Sequence, residues 1–426
     1  MVEKRIQNTA IDISPNANNS LEVEGVGEEI QLQEPENTNK GYEIIEEQDG
    51  GVTLDFDPSQ KQSEGDYFAN IAEFIDDDIL EKLSSDLQKN FEDDKNSRSD
   101  WEKTYKEGLD LLGFKYEERS KPFAGAAGVT HPLLAEAVTQ FQAQAYKELL
   151  PPGGPVRTEI LGVPSLEVEQ QAERIKEFMN YQITCEMQEF DPELDQLLFH
   201  LPLAGSAFKK VYYDGTLERA VSKFIPAEDL VVPYFITDLE SCGRITHIVK
   251  MKHNDLRKNQ VSGFYRDIEL QPNTAKTSDI KEKQDELSGV EQVSFTEEEH
   301  NVLEMHVDLD LPGFEDMGAN NEKTGIMLPY IVTLDEDSGE ILSIYRNWNQ
   351  GDASRKKKEY FTHFKFLPGL GFYGFGLIHM LGGLSRTATA ALRQLIDAGT
   401  LSNLPAGFKA RGLRIRDDDE ALNPGE

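Results

Sequence analysis

Two cysteines in 426 residues, Cys185 and Cys242, are too few for a disulfide framework, and neither sits in a CxxC or comparable ligand spacing. A disulfide-built fold and a cysteine-held metal centre are therefore excluded, and a reducing compartment is the expectation. Apolar runs of about 18 residues are lacking as well, and the first ten residues, Met1 to Ala10, hold no apolar core. No membrane span and no secretory leader is expected. The Walker pattern GxxxxGK[ST] does not occur, which removes the usual sign of an ATPase. Positive charge is scarce: 43 Lys+Arg stand against 78 Asp+Glu, a net charge of -35. A surface so acidic repels phosphates and argues against a protein that grips nucleic acid all over.

The charge is unevenly spread. Residues 1–100 carry 8 Lys+Arg and 26 Asp+Glu, whereas residues 351–416 carry 11 and 3. Residues 1–64, rich in Asn, Gln, Glu and Gly, bury too little apolar area to offset ordering entropy and read as a disordered acidic arm. Within it, Gly41-Tyr-Glu-Ile-Ile-Glu and Val52-Thr-Leu-Asp-Phe have the composition of short strands or docking segments.

Residues 65–204 follow a helical period. Phe74, Leu80, Leu83, Leu87 and Phe91, then Trp101, Tyr105, Leu109 and Leu112, predict two amphipathic helices. The small-residue loop Gly125 to Gly128 precedes a helix carrying Leu134, Val138, Phe141, Ala145 and Leu149, which Pro151-Pro-Gly-Gly-Pro155 ends. Two more helices are expected, one from Leu166 to about Glu189 and one after Asp191-Pro192 that carries Leu194, Leu197, Leu198 and Leu201 and is closed by Gly205.

Across residues 205–370 the period changes to two. Strands are predicted at Ala207–Tyr213, Gly243–Met251, Val302–Leu309 and Met327–Thr333, the last forming a hairpin with Ile341–Arg346 through Asp335 to Gly339. The polar stretch 266–300 reads as an exposed insertion. Alternating strand-helix-strand units are missing, so the expected class is α+β.

Several motifs carry candidate chemistry. Gly369-x-Gly371-x-x-Gly374 follows a predicted strand, Tyr360–Leu367, and opens a helix, as a dinucleotide fingerprint does. No second strand follows it, however, and Asp397, at the spacing of the ribose-binding acid, falls inside the helix. Glycines 369, 371, 374 and 376 are accordingly read as a hinge, with Phe372, Tyr373 and Phe375 anchoring it to the sheet, and no cofactor is expected. His306, Asp308 and Asp310 alternate as metal ligands on one strand face would, but without a further ligand cluster they read as a polar strand face. Asp335-Glu-Asp337 lacks the later ligands of a calcium loop and reads as a turn. Ser206 and Ser385 lack a GxSxG elbow. The basic run Arg355 to Lys358 reads as a solvated loop with a capacity for phosphate or an acidic partner.

Leu377, Leu381, Leu384, Ala388, Ala391 and Leu395 form a seam at steps of 4, 3, 4, 3 and 4 on a helix expected to end at Ala398 before Gly399. Beside the seam only Arg386, Arg393 and Asp397 are charged. So few charges predict protein contact on several faces, either within the domain or between neighbouring subunits.

Four passages in this order resemble the portal proteins of tailed bacteriophages, of the podovirus type: Phe123 to Ala137, Leu203 to Asp214, the hairpin Ile331 to Asn347, and Gly371 to Gly407. The resemblance implies a structural, non-enzymatic subunit of a homo-oligomeric ring of about twelve. Such a ring is assembled in the host cytoplasm and placed at one capsid vertex of the virion, where double-stranded DNA is packaged and ejected. It implies a helical wing (65–204), a strand-rich wing and clip (205–370), and a hinge with a stem helix (371–426). Implied partners are the terminase large subunit, capsid and scaffold proteins and tail adaptor proteins. On this reading Arg386, Arg393 and Lys409 contact DNA in the channel, and the chain, ending at Asn423-Pro-Gly-Glu426, stops short of the family's usual length. The other readings left open are a different head-completion or adaptor protein of the virion, and a nucleotide-cofactor enzyme built on Gly369, Gly371 and Gly374.

Overall fold

Strand-forming sequence and helix-forming sequence segregate along this chain, and the segregation sets the architecture. A computed structural model describes residues 43–46, 52–55, 67–123, 125–215, 217–270, 278–290, 299–317 and 322–403. Two units divide at Pro58 and Ser59. The first contributes an antiparallel pair, β1 (Glu43–Glu46) and β2 (Val52–Asp55), with Ile44 opposite Leu54. The expectation of disorder over the rest of residues 1–64 lies outside the described residues.

The second unit begins with α1 (Asp77–Ser97) and α2 (Ser99–Leu109), broken at Arg98. α1 buries Leu80, Ser84, Leu87, Phe91 and Asp94, steps of 4, 3, 4 and 3 that place them on one face. α3 (Leu133–Leu149), α4 (Leu166–Tyr181) and α5 (Phe190–Ala204) follow. Gly205, at φ 88°, caps α5 in the left-handed conformation and turns the chain into β3 (Ser206–Asp214).

β3 is the centre of a three-stranded antiparallel sheet, flanked by β4 (Arg219–Ile225) and by the late strand β10 (Phe361–Lys365). A second sheet of five antiparallel strands runs in the order β5 (Leu230–Val231), β6 (Arg244–Lys252), β7 (Glu299–Leu309), β8 (Leu328–Asp335) and β9 (Ile341–Arg346). α6 (His253–Val261) and α7 (Asp279–Ser288) lie between β6 and β7 in sequence, and α8 (Leu377–Ser402) closes the described chain. The architecture is mixed α+β with antiparallel sheets, as the sequence leads one to expect.

Two cores result. Ile71, Leu80, Leu87 and Phe91 cover one face of the five-stranded sheet through Leu303, Met305, Val332 and Ile344. Tyr105, Leu109, Leu134, Val138, Ile280 and Ile378 join α2, α3, α7 and α8 in the other.

The elements themselves depart from expectation in several places, among them the helix expected to Glu189, which ends as α4 at Tyr181. β4, β5 and α6 were not foreseen, because their short apolar patterns are mixed with charged residues. The stretch 266–300 is not simply exposed: Ile280 and the partly buried Leu287, seven residues apart on an otherwise polar helix, seat α7 on the second core. Finally, α8 passes through Gly399 and ends at Ser402. One glycine costs a helix about 1 kcal/mol, which the continued backbone bonding offsets, including the Asn403 N–H donated to the Gly399 carbonyl at 3.1 Å.

Candidate functional site: a pinned glycine joint and a two-faced helix

β10 leads into the glycine segment, which is bonded back onto the corner between α5 and β3. The Phe366 N–H donates to the Gly205 carbonyl (3.0 Å), the Gly374 N–H to Ser206 Oγ (2.8 Å) and the Phe375 N–H to the Leu367 carbonyl (2.9 Å). The Gly376 N–H donates to His379 Nδ1 (3.1 Å) at the start of α8. None of Gly369, Gly371, Gly374 and Gly376 lies in the left-handed region, so backbone freedom is not what requires glycine here. Close approach does: a Cβ on Gly374 would lie 2.4 Å from the Gly205 carbonyl oxygen, and one on Gly376 2.3 Å from that of Leu203. Gly371 is different, with open space around it.

Aromatic residues lock the same joint. Phe372 is buried and stacks on Phe208, with ring centroids 5.8 Å apart. Tyr373 stacks on Trp101 at 4.6 Å, and Trp101 on Tyr105 at 5.6 Å. The Tyr373 hydroxyl accepts from Arg98 at 3.0 Å and donates to the Leu230 carbonyl at 3.2 Å. Burial pushes its phenol pKa up, against the pull of the Arg98 guanidinium. Arg98, itself buried, also donates to the carbonyls of Ala227 (3.1 Å), Glu228 and Leu230 (2.8 Å), and from Nε to Glu102 (2.8 Å). One arginine thus joins the α1–α2 break, the turn before β5 and the glycine joint. Phe375, by contrast, is exposed.

α8 has two unlike faces. Ile378, Gly382, Ser385, Thr389 and Asp397 form the buried one. Apart from Ile378 it is small and polar, and two of its side chains, Thr389 and Asp397, satisfy the backbone of the small-residue loop before α3. The Ala127 N–H donates to Asp397 Oδ1 (2.7 Å) and the His131 N–H to Thr389 Oγ1 (3.0 Å), while Arg393 Nε donates to the Val129 carbonyl (2.7 Å). Arg393 also pairs with Glu117 at 3.0 Å. Buried backbone groups need such partners, and alanine and glycine have no side chains to supply them.

The expected seam of Leu377, Leu381, Leu384, Ala388, Ala391 and Leu395 runs one residue behind the buried face. Leu377, Leu381 and Ala388 are half-buried at its flank and Ala391 is exposed; Leu384 is 60% and Leu395 72% exposed. With Met380, 57% exposed, they make a stripe about 22 Å long, at 1.5 Å per residue from 380 to 395. Thr387 and Gln394 border it, and no charge falls within it.

The candidate channel residues are distributed unequally. Arg386 is exposed and pairs with Glu107 at 2.8 Å, Arg393 is committed to the loop, and Lys409 lies outside the described residues. Arg119, Arg386 and Arg393 line one cleft of about 610 Å3 with Leu111, Thr389 and Leu401. In the basic run, Lys357 donates to the carbonyls of Leu239 (3.0 Å) and Cys242 (2.8 Å), and Arg355 pairs with Asp316.

Of the alternating acidic and histidine positions, His306 is buried with Nε2 2.8 Å from Glu304 Oε1, Asp308 is on the same strand, and Asp310 lies past its end. Among the described residues no group of His, Cys, Asp or Glu is placed to hold a metal ion. Asp335 accepts from the Ser338 N–H (2.9 Å) and hydroxyl (2.7 Å), which makes its segment a turn. Sequence reasoning missed Arg98, Asp397 as a loop cap, and the Lys210–Glu304 pair between the sheets. Only the interrupted helical period at Ser97-Arg98-Ser99 offered a signal.

No protein-family model and no curated protein matches the chain. Among the described residues no helix is long and apolar enough to cross a membrane.

Proposed function

We propose that the chain is a structural subunit of a bacteriophage portal ring, a homo-oligomeric channel for double-stranded DNA at one capsid vertex. The observation that carries this reading is the outward face of α8. An uncharged stripe of Met380, Leu384, Ala391 and Leu395 is left exposed on a helix whose opposite face is buried against the rest of the unit. Exposed stripes of this kind mark surfaces for another protein. Repeated around an axis, the stripe gives each copy a surface on which a neighbour packs. The order of the four portal-like passages is the second support. On this reading the joint at Gly374 and Gly376 holds the stem helix against the wing, Arg386, exposed and paired only at the surface with Glu107, is the described candidate cation able to turn to DNA, and terminase and tail adaptors dock in turn.

The geometry of the glycine segment speaks against the cofactor alternative. β10 is an edge strand of an antiparallel sheet, and the N–H groups of Gly374, Phe375 and Gly376 are already bonded within the protein. A pyrophosphate site needs free N–H groups at the C-terminal edge of a parallel sheet.

Negative-stain microscopy and native mass spectrometry of the protein test the ring. Closed rings of about twelve copies with an axial hole are the expected result. A monomer at micromolar concentration that instead shifts its melting temperature with NAD or ATP would replace this reading with the enzyme one.

A further inference from the structure

α7 is capped at both ends. Ser278 Oγ accepts the Lys281 N–H at its start, and Gly289, at φ 71°, caps its end. Its attachment to the rest of the unit is thin. Ile280 is its one fully buried side chain, and Leu287 is partly covered. Apart from a bond from Gln284 to the site beneath it, the remaining contacts are ion pairs: Lys106 with Asp279 (2.9 Å) and Lys115 with Glu286 (2.9 Å) at the surface, and Lys283, more covered, with Asp110 (2.8 Å). Exposed pairs of this kind are weak and are screened by salt.

Beneath α7 lies an unusual set of buried groups. Gln284 Nε2 donates to Glu228 Oε1 at 2.8 Å, but Glu228 Oε2, on a residue only 7% exposed, has no hydrogen-bond partner among the described residues. Tyr105, 2% exposed, lies beside it, with its hydroxyl 3.5 Å from His200 Nδ1. Asp229 adjoins Glu228, and Lys281 of α7 acts electrostatically on both Asp229 and His200. Burial, reinforced by Glu228, raises the Asp229 carboxyl to about 7. A carboxylate with an unused acceptor under a cover is a poor way to stabilise a closed fold, because an unpaired buried acceptor favours exposure to water.

We propose that α7 is a displaceable strap, held by surface ion pairs, that closes a buried acidic site at Glu228. Undocking removes Ile280 and Gln284 and exposes Glu228, Asp229, Tyr105 and His200 while leaving α2, α5 and the β5 turn in place. The uncovered site offers a cation two carboxylates beside the ring of Tyr105. The inference is independent of the portal reading.

Amide hydrogen exchange followed by mass spectrometry on the whole protein tests it. In 1 M against 50 mM NaCl, amides of 279–288 should exchange about fivefold faster or more, with α2 and α5 changing less than about twofold. Ile280→Ala should give the same local acceleration at low salt. Glu228→Gln, which keeps an acceptor for Gln284 and removes the charge, should slow it. Exchange of α7 that is unmoved by salt and by Ile280→Ala, or that accelerates only together with α2 and α5, overturns the strap. Acceleration by Glu228→Gln overturns the acidic site.

Discussion

Lys210 of β3 places its ammonium 2.6 Å and 2.5 Å from the two carboxylate oxygens of Glu304 on β7, an ion pair that bridges the two sheets. Glu304 stands opposite His247 of β6 in register and also receives His306, while Phe361 packs against both histidine rings. Burial alone would raise the Glu304 pKa, but Lys210 and then His306 hold it well below the usual carboxylate range. Removing one partner of such a pair leaves an uncompensated charge between the sheets. Lys210→Met should therefore lose about 3 kcal/mol in urea unfolding at pH 7, and Lys210→Met/Glu304→Leu clearly less. A depressed carboxylate stabilises above its unfolded pKa of about 4.3, and that contribution is lost as pH falls towards the folded value. In the single variant the unpaired carboxylate takes up its proton more readily, so the gap from the wild type should narrow between pH 5 and pH 3. A constant gap would remove the charge argument.

Two histidines give a second pH dependence of the same sign. Burial lowers His247 to about 3, against opposing attraction from Glu304, and burial followed by Lys365 lowers His363 to about 3. A histidine held neutral in the fold binds its proton in the unfolded chain first, so stability falls as pH drops through about 6.5 and goes on falling to about 3. Each contributes a slope of up to about 1.4 kcal/mol per pH unit. Melting temperature should drop from pH 7 to pH 4, and His363→Gln should flatten part of that slope. An unchanged slope would show that His363 is protonated without loss of the fold.

The glycines separate by what lies next to them. Gly376→Ala places a methyl where the Leu203 carbonyl stands, and no flexible side chain is there to yield. A loss of about 2–4 kcal/mol is expected, in the range of strained backbone and overpacked sites. Gly371→Ala, with nothing within 4 Å, should stay within about 0.5 kcal/mol. Equal effects at the two positions, read by guanidinium unfolding, would show that flexibility rather than close approach governs the joint.

How far the sequence reveals this arrangement depends on which interaction decides each part. The hydrophobic period of α1 and the turn-bounded strands β8 and β9 were legible, because burial of one face is written into local spacing. The buried side of α8 was not: Ser385, Thr389 and Asp397 look like a surface, and it is the backbone N–H groups of the distant Ala127 and His131 that draw Asp397 and Thr389 inside. Arg98 was hidden for the same reason, since its acceptors come from residues about 130 positions away. The aromatic anchors were half legible. Phe372 packs as expected against the sheet, Tyr373 stacks instead on Trp101 of α2, and Phe375 is exposed.

Asp397 is the test of that inverted face. Its carboxylate accepts the Ala127 N–H in a buried position, with Arg119 4.0 Å away. Asp397→Ala should cost about 1–3 kcal/mol, the usual penalty for leaving a buried donor without a partner. Amide exchange at Ala127 should quicken with it. Loss of stability without local acceleration at Ala127 would place the effect elsewhere on α8.

The outward face of α8 requires the opposite result. Leu384 and Leu395 are more than half exposed in the single chain, so Leu384→Gln/Leu395→Gln should change its unfolding free energy by no more than about 0.5 kcal/mol per site. If a neighbouring copy covers them, each loses roughly 1.5–3 kcal/mol of burial on assembly, multiplied at every interface of the ring. Sedimentation velocity should then show intact, folded monomers where the wild type sediments as a closed oligomer. Ile378→Gln, two positions before the stripe but 5% exposed, is the matched control and should destabilise the monomer itself. Unimpaired assembly of the double variant would take the leucine stripe out of the subunit interface, because two glutamines buried there without partners could not pack as the leucines do.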